Sequence, residues 1–115
     1  MWNGKTVSII FPTFNEKSSI RKSIEEFQSV GVVDEIVVVN NNAAEGTSDE
    51  VAKTTAREVH EPVQGYGAAI QRGFKEATGD YLIVSEPDDT FRGRDVVKLL
   101  AARWVWTTSD PKPVK

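Results

Sequence analysis

Ile36-Val37-Val38-Val39 is an unbroken run of β-branched residues. A run of this kind suits a strand that is covered on both faces, and so a sheet sandwiched between helices. Three further stretches read as strands: Thr6 to Phe11, Ala56 to His60 and Asp80 to Ser85. Helical spacing fills the intervals. Ile20, Ile24, Phe27 and Val30 recur over Glu16 to Val30, with Gly31 as the stop. Thr47 and Glu50 have the spacing of a capping box for a short helix over Ser48 to Thr54. Tyr66, Ile70, Phe74 and Ala77 form an apolar stripe that ends before Gly79. Asp95 to Ala102 reads as a last helix. The order βαβαβαβα predicts an α/β fold, an open, mostly parallel sheet with helices on both faces.

The chain has 115 residues, enough for one domain, with 39% hydrophobic and 27% charged residues. Its net charge of −3 provides no field to gather nucleic acid. It has no cysteine, which excludes disulfides and thiolate metal sites. No apolar run reaches the length of a membrane span, and no signal peptide is visible. A cytoplasmic location is expected, with membrane attachment through a further segment of a longer form left open. Residues 104–115, with Trp104, Trp106, Pro111 and Pro113, are expected to be a frayed or extended tail.

The polar oddities fall where the predicted strands end. Pro12-Thr13-Phe14-Asn15-Glu16 follows the first, Asn40-Asn41-Asn42 the second, and His60-Glu61 and Gly65-Tyr66-Gly67 the third. Glu86-Pro87-Asp88-Asp89 follows the fourth. In a parallel sheet these loops share one edge, where open α/β sheets bind their ligands. Carboxylates gathered there repel one another unless a cation joins them. Hard oxygen ligands favour Mg²⁺ or Mn²⁺, which complete their coordination through substrate phosphates. Simpler readings stand beside these. Asn15 suits a helix cap, Pro12 a strand terminator, and the three asparagines a conformational loop. Gly65 and Gly67 suit a turn, Tyr66 the core, and His60 a structural role.

In combination these segments resemble a known family. Val7 to Glu16 resembles the opening strand and turn of family 2 glycosyltransferases of the GT-A, Rossmann-like fold. Glu35 to Asp49 is similar to that family's second strand and its Asp/Asn-rich loop. Gly65 to Phe74 is similar to its Gly-and-Ala helix. Gly79 to Val84 with Glu86 to Asp89 is similar to the strand bearing its Asp-x-Asp metal motif. The likeness runs from about residue 6 to residue 102 and is nearest to the dolichol-phosphate mannosyltransferase branch. It implies a glycosyltransferase that takes its sugar from a nucleotide-diphosphate donor with Mg²⁺ or Mn²⁺. Pro12, Thr13, Asn15 and Glu16 match the turn against the base and ribose. Asn40 stands where the family usually has an aspartate facing the base, and Asn42 lies in the same loop. Gly65 and Gly67 match positions where backbone passes the nucleotide, and Arg72 is a candidate for the base or diphosphate. Glu86 and Asp88 align with the two acidic positions of the metal motif, with Glu in place of the usual first Asp, and Asp89 is an extra ligand candidate.

Family members are considerably longer, and their remaining half supplies the acceptor site and the catalytic base. No carboxylate after Asp89 suits that base. Asp95 reads as a helix N-terminal charge, and Asp110 lies in the tail. Residues 1–103 are therefore expected to be the donor-binding half of a truncated GT-A domain. The acceptor is left open. A sheet edge left exposed would pair with another copy, giving a homodimer or higher oligomer. The alternative is a non-catalytic interaction module that retains the fold. A receiver-like phosphoacceptor or nucleotidyltransferase ranks last, because the first strand ends in Pro12-Thr13 without an acidic pair.

Overall fold

A computed structural model describes residues 1–13, 17–43, 45–85, 96, 105–107 and 113–114 of the chain. Its elements alternate as expected: β1 (Val7–Thr13), α1 (Lys17–Gln28), β2 (Glu35–Asn40), α2 (Thr47–Ala52), β3 (Arg57–His60), α3 (Tyr66–Glu76) and β4 (Tyr81–Val84). Two short strands follow, β5 (Val105–Thr107) and β6 (Pro113–Val114). The sheet order is β3-β2-β1-β4-β5-β6. The first four strands are parallel. The last two run antiparallel.

Strand alternation sorts the core into two layers. Val7, Ile9 and Phe11 of β1 and Ile36 and Val38 of β2 pack with Ile20, Ile24 and Phe27 of α1 and Val51 of α2. Phe11 meets Phe27 edge to face at 5.1 Å between ring centroids. Ile10, Val37, Val39 and Leu82 point the other way, to Ala69 and Phe74 of α3 and to Ala77 just beyond its end. The run Val37-Val38-Val39 is therefore buried on both faces. Phe74 and Ala77 of the predicted stripe pack against the sheet, and the small residues Ala69 and Gly73 set how closely α3 approaches. A Cβ on Gly73 would stand 2.4 Å from Ile10 Cγ2. Tyr66, expected in the core, is 53% exposed. Its position at the first turn of α3 carries it past the sheet face.

Four local expectations are corrected. Pro12 lies within β1, paired with Val39. The Ile10 carbonyl accepts from Ser85 N–H, so Ile10 and Pro12 both face β4, while Thr13 faces β2. The β1–β4 register ends at Ile10↔Val84, so the N–H that proline lacks is not needed by the ladder. The capping box does not form. Gly46, at φ 92°, is the cap of α2, and Thr47 is drawn into the core as its first residue. Gly79 is not a helix stop, because α3 ends at Glu76. Instead Gly79 admits β1, where a Cβ would meet Ser8 Oγ at 2.4 Å and Ser8 N at 2.9 Å. The tail carries β5 and β6, with Leu82 opposite Trp106. These strands cover the edge of β4, leaving β3 and β6 outermost. Of the expected helix over Asp95 to Ala102, Val96 is helical and buried, and the rest lies outside the described residues. Among the described residues no helix is long and apolar enough to cross a membrane.

Candidate functional site

Strands β1 to β4 all end at one edge, at Thr13, Asn40, His60 and Val84. β2 and β3 continue the sheet on one side of β1, and β4 lies on the other. The order of connection thus reverses between β1 and β4, and the ligand crevice of an open α/β sheet opens at such a point. Among the described residues the β1–β4 pairing runs as far as Ile10 and Ser85. Thr13 ends β1 and Ser85 follows β4 at this edge. Both are buried, and neither hydroxyl has a partner among the described residues.

The β3–α3 loop is held against the end of β2 by Asn41, which is 3% exposed. Its Nδ2 donates to the carbonyls of Glu61 and Val63, both at 2.8 Å. Its Oδ1 accepts from Gly65 N–H at 2.9 Å and Gln64 Nε2 at 3.2 Å. Two donated and two accepted bonds use the full capacity of an amide. Asn42, a predicted site residue, donates from Nδ2 to Gln64 Oε1 at 2.9 Å. The predicted residue Asn40 has its amide engaged within the protein, with Oδ1 accepting from Ala43 N–H.

Glu61 is the second organiser of this loop. One oxygen accepts from Val63 N–H at 2.8 Å and the other from Arg72 Nε at 3.0 Å. Arg72 also lies 3.6 Å from Glu76. The predicted anion ligand therefore has its Nε–H committed to Glu61. It lines an open depression of about 340 Å³ between the loop and α3, together with Glu61, Val63, Gln71 and Lys75. The Val63 N–H and then Arg72 hold the Glu61 carboxyl below its ordinary value of 4.5. Glu35 is pushed up by burial. The Thr78 N–H, the Ser8 hydroxyl and Arg57 outweigh this and leave it lowered. The Thr6 N–H and hydroxyl lower Asp80 likewise.

A carboxyl lowered in the folded state binds its proton more tightly when unfolded. Its contribution to stability is present above the unfolded value and lost as pH falls through the folded one. The urea midpoint is therefore expected to hold from neutral pH to about 5 and to drop below pH 4.5. Glu35→Gln should flatten that drop. An unchanged acid limb in this variant would remove Glu35 from the account.

Gly65, at φ 138°, opens α3 without a side-chain cap, and Gly67 lies in the helix's first turn. The first N–H groups of this 11-residue helix therefore look to the edge that carries the strand ends. Asn15, Glu16, Glu86, Asp88 and Asp89 lie outside the described residues. Among the described residues no three acidic or histidine side chains gather to hold a metal ion.

Asn41 and Glu61 were read from the sequence only as members of the polar loops, without a role of their own, although strand parity carried a signal. Residue 41 continues the alternation of Val37 and Val39, which face α3, so it is the asparagine of the three that points toward the loop entering that helix.

The chain is 29% identical over 92 residues to Protein RfbJ of Shigella flexneri, covering 79% of this chain and 70% of that protein. It is 28% identical to the dolichol-phosphate mannosyltransferase of Pyrococcus furiosus, covering 84% of this chain but 29% of that protein. Among solved structures it is similar to glucosyl-3-phosphoglycerate synthase from Mycobacterium tuberculosis, in complex with Mn²⁺, uridine diphosphate and phosphoglyceric acid. That match has a TM-score of 0.67 at 27% identity and covers 74% of this chain and 34% of the synthase. The chain thus spans only about a third of the mannosyltransferase and of the synthase. The profile of glycosyl transferase family 2 matches residues 8–104, a span that runs from β1 through β4 and past the acidic cluster. With the parallel sheet, its crossover between β1 and β4 and the polar loops at one edge, this match places the chain in glycosyl transferase family 2.

Proposed function

We propose that residues 1–103 form the donor-binding half of a glycosyltransferase that takes a sugar from a nucleotide diphosphate with the help of a divalent ion. The observation that carries this is the reversal of connection between β1 and β4, with the ends of all four parallel strands at one edge. The Mn²⁺ and uridine diphosphate of the similar synthase support the class of ligand. Pro12, Thr13, Asn15 and Glu16 are the proposed base and ribose contacts. Gly65 and Gly67 would bring the uncapped start of α3 to the nucleotide, where free N–H groups favour negative charge. Arg72 would contribute with the guanidinium hydrogens that Glu61 does not occupy, while bonding to Glu61 keeps α3 and its loop in register.

Glu86, Asp88 and Asp89 would hold the ion. The chain reaches them immediately after Ser85, whose N–H is fixed to Ile10, and their hard oxygens suit Mg²⁺ or Mn²⁺. A bound divalent ion neutralises charge that grows on the departing diphosphate. The acceptor hydroxyl and its general base are proposed to belong to chain outside this segment.

Titration calorimetry of uridine and guanosine diphosphates, with and without Mn²⁺, tests the reading. One nucleotide is expected to bind, about tenfold or more tightly with metal, and Asp88→Ala should abolish the metal dependence. Absence of heat with both nucleotides would remove the proposal.

A further inference from the structure

Asn40 closes β2 on the face that carries α1 and α2, since it continues the alternation of Ile36 and Val38. Its amide is spent within the protein. Oδ1 accepts from Ala43 N–H at 2.8 Å. Nδ2 donates to Glu58 Oε2 at 3.1 Å and to Ser48 Oγ at 3.4 Å. Turning the amide over would set its oxygen against the Glu58 carboxylate and its NH₂ against a backbone N–H, so chemistry fixes the orientation. The Ser48 hydroxyl donates to the same Oε2 at 2.8 Å.

Glu58 is thus a half-buried carboxylate with two donors on one oxygen. Among the described residues no cation pairs with it and no group donates to Oε1. Two further atoms belong to this corner. Thr13 is the Cα partner of Asn40 across β1 and β2, and Thr47 directly precedes Ser48. Both are 1% exposed, and both hydroxyls lack a partner among the described residues. Buried hydroxyls are nearly always bonded. A corner with two unbonded ones and an open carboxylate oxygen suits a ligand that brings its own polar hydrogens.

We propose that Glu58 is a specificity-determining residue of the donor site, accepting a hydrogen from the nucleoside on Oε1. Position 40 is neutral because it must donate to that carboxylate. An aspartate there would place two carboxylates within hydrogen-bond distance, with no cation between them. The negative charge that reads the nucleoside then stands on β3, behind the end of β2. This inference rests on the donor-site reading above. A base N–H and a ribose hydroxyl offer the same chemistry to a carboxylate oxygen, and nucleotide analogues separate them.

The test uses the whole chain with Mn²⁺ and whichever of uridine and guanosine diphosphate binds more tightly. Glu58→Gln must turn its oxygen to Asn40 and Ser48, and so presents an NH₂ outward. Its affinity is expected to fall about tenfold or more, with the melting temperature nearly unchanged. On the unaltered chain, the 2′-deoxy and ring-N-methyl analogues assign the hydrogen to ribose or base. The analogue lacking the hydrogen that Glu58 accepts should bind worse to the unaltered chain and lose nothing further on Glu58→Gln. Asn40→Asp alone should lower both affinity and melting temperature, and Asn40→Asp with Glu58→Gln should recover the melting temperature. Unaltered affinity in a folded Glu58→Gln variant, or equal effects of both analogues on the two chains, would overturn the proposal. If the unaltered chain binds neither nucleotide, the donor-site reading falls first and this inference with it.

Discussion

Asn41→Asp is expected to destabilise the protein by about 4 kcal/mol or more, a large part of the ~5–15 kcal/mol that holds an ordinary domain together. The substitution changes one atom in kind and nothing in size. That atom is Nδ2, which donates to the carbonyls of Glu61 and Val63 from a side chain 3% exposed. An aspartate would face both carbonyl oxygens with a carboxylate oxygen, without water to separate them. Protonation would relieve only one contact, and at a cost at neutral pH. Asn41→Ala should be milder, at about 2–3 kcal/mol, because it leaves the Glu61 and Val63 carbonyls and the Gly65 N–H unsatisfied without adding charge. Urea denaturation orders the two variants, and midpoints equal to that of the unaltered protein would show that the amide is dispensable. Because the same amide anchors Gly65, nucleotide affinity should fall in parallel even where the fold survives.

Gly79→Ala is the second large effect expected, at about 3 kcal/mol. A new Cβ would stand 2.4 Å from Ser8 Oγ and 2.9 Å from Ser8 N. The hydroxyl could rotate away. It would then abandon Gly79 N–H, to which it is bonded at 2.9 Å, and Glu35, at 2.8 Å. The backbone nitrogen cannot yield without moving β1, which is buried along its whole length between β2 and β4. The chain therefore shifts or loses these bonds. A thermal melt within a degree or two of the unaltered protein would show that β4 can retreat instead.

Most of the architecture was legible because burial on two faces leaves an imprint on composition. β2 reads as a continuous β-branched run, and α1 shows its inward residues at helical spacing. The expectations that failed rested on a residue's local preference, on the end of a periodic stripe or on the look of the tail. Thr47 looked like a cap but was needed in the core. Tyr66 looked like core but occupies the exposed first turn of α3. β5 and β6 could not be read from a tail of short polar and proline-bearing stretches, because what recruits them is the open edge of β4.

The site divides in the same way. Residue order alone put the polar loops after the strands, and parallel strands necessarily gather their ends at one edge. It also placed the acidic cluster Glu86-Pro87-Asp88-Asp89 immediately after β4 and Ser85. Which asparagine of three is buried, that Arg72 is already bonded to Glu61, and that Asn40 answers a carboxylate on β3 were decided by contacts between segments far apart in sequence. Local preference and periodicity act within a few residues along the chain. Hydrogen-bond partners and close approach are properties of neighbours across the sheet, and only the folded arrangement chooses those neighbours.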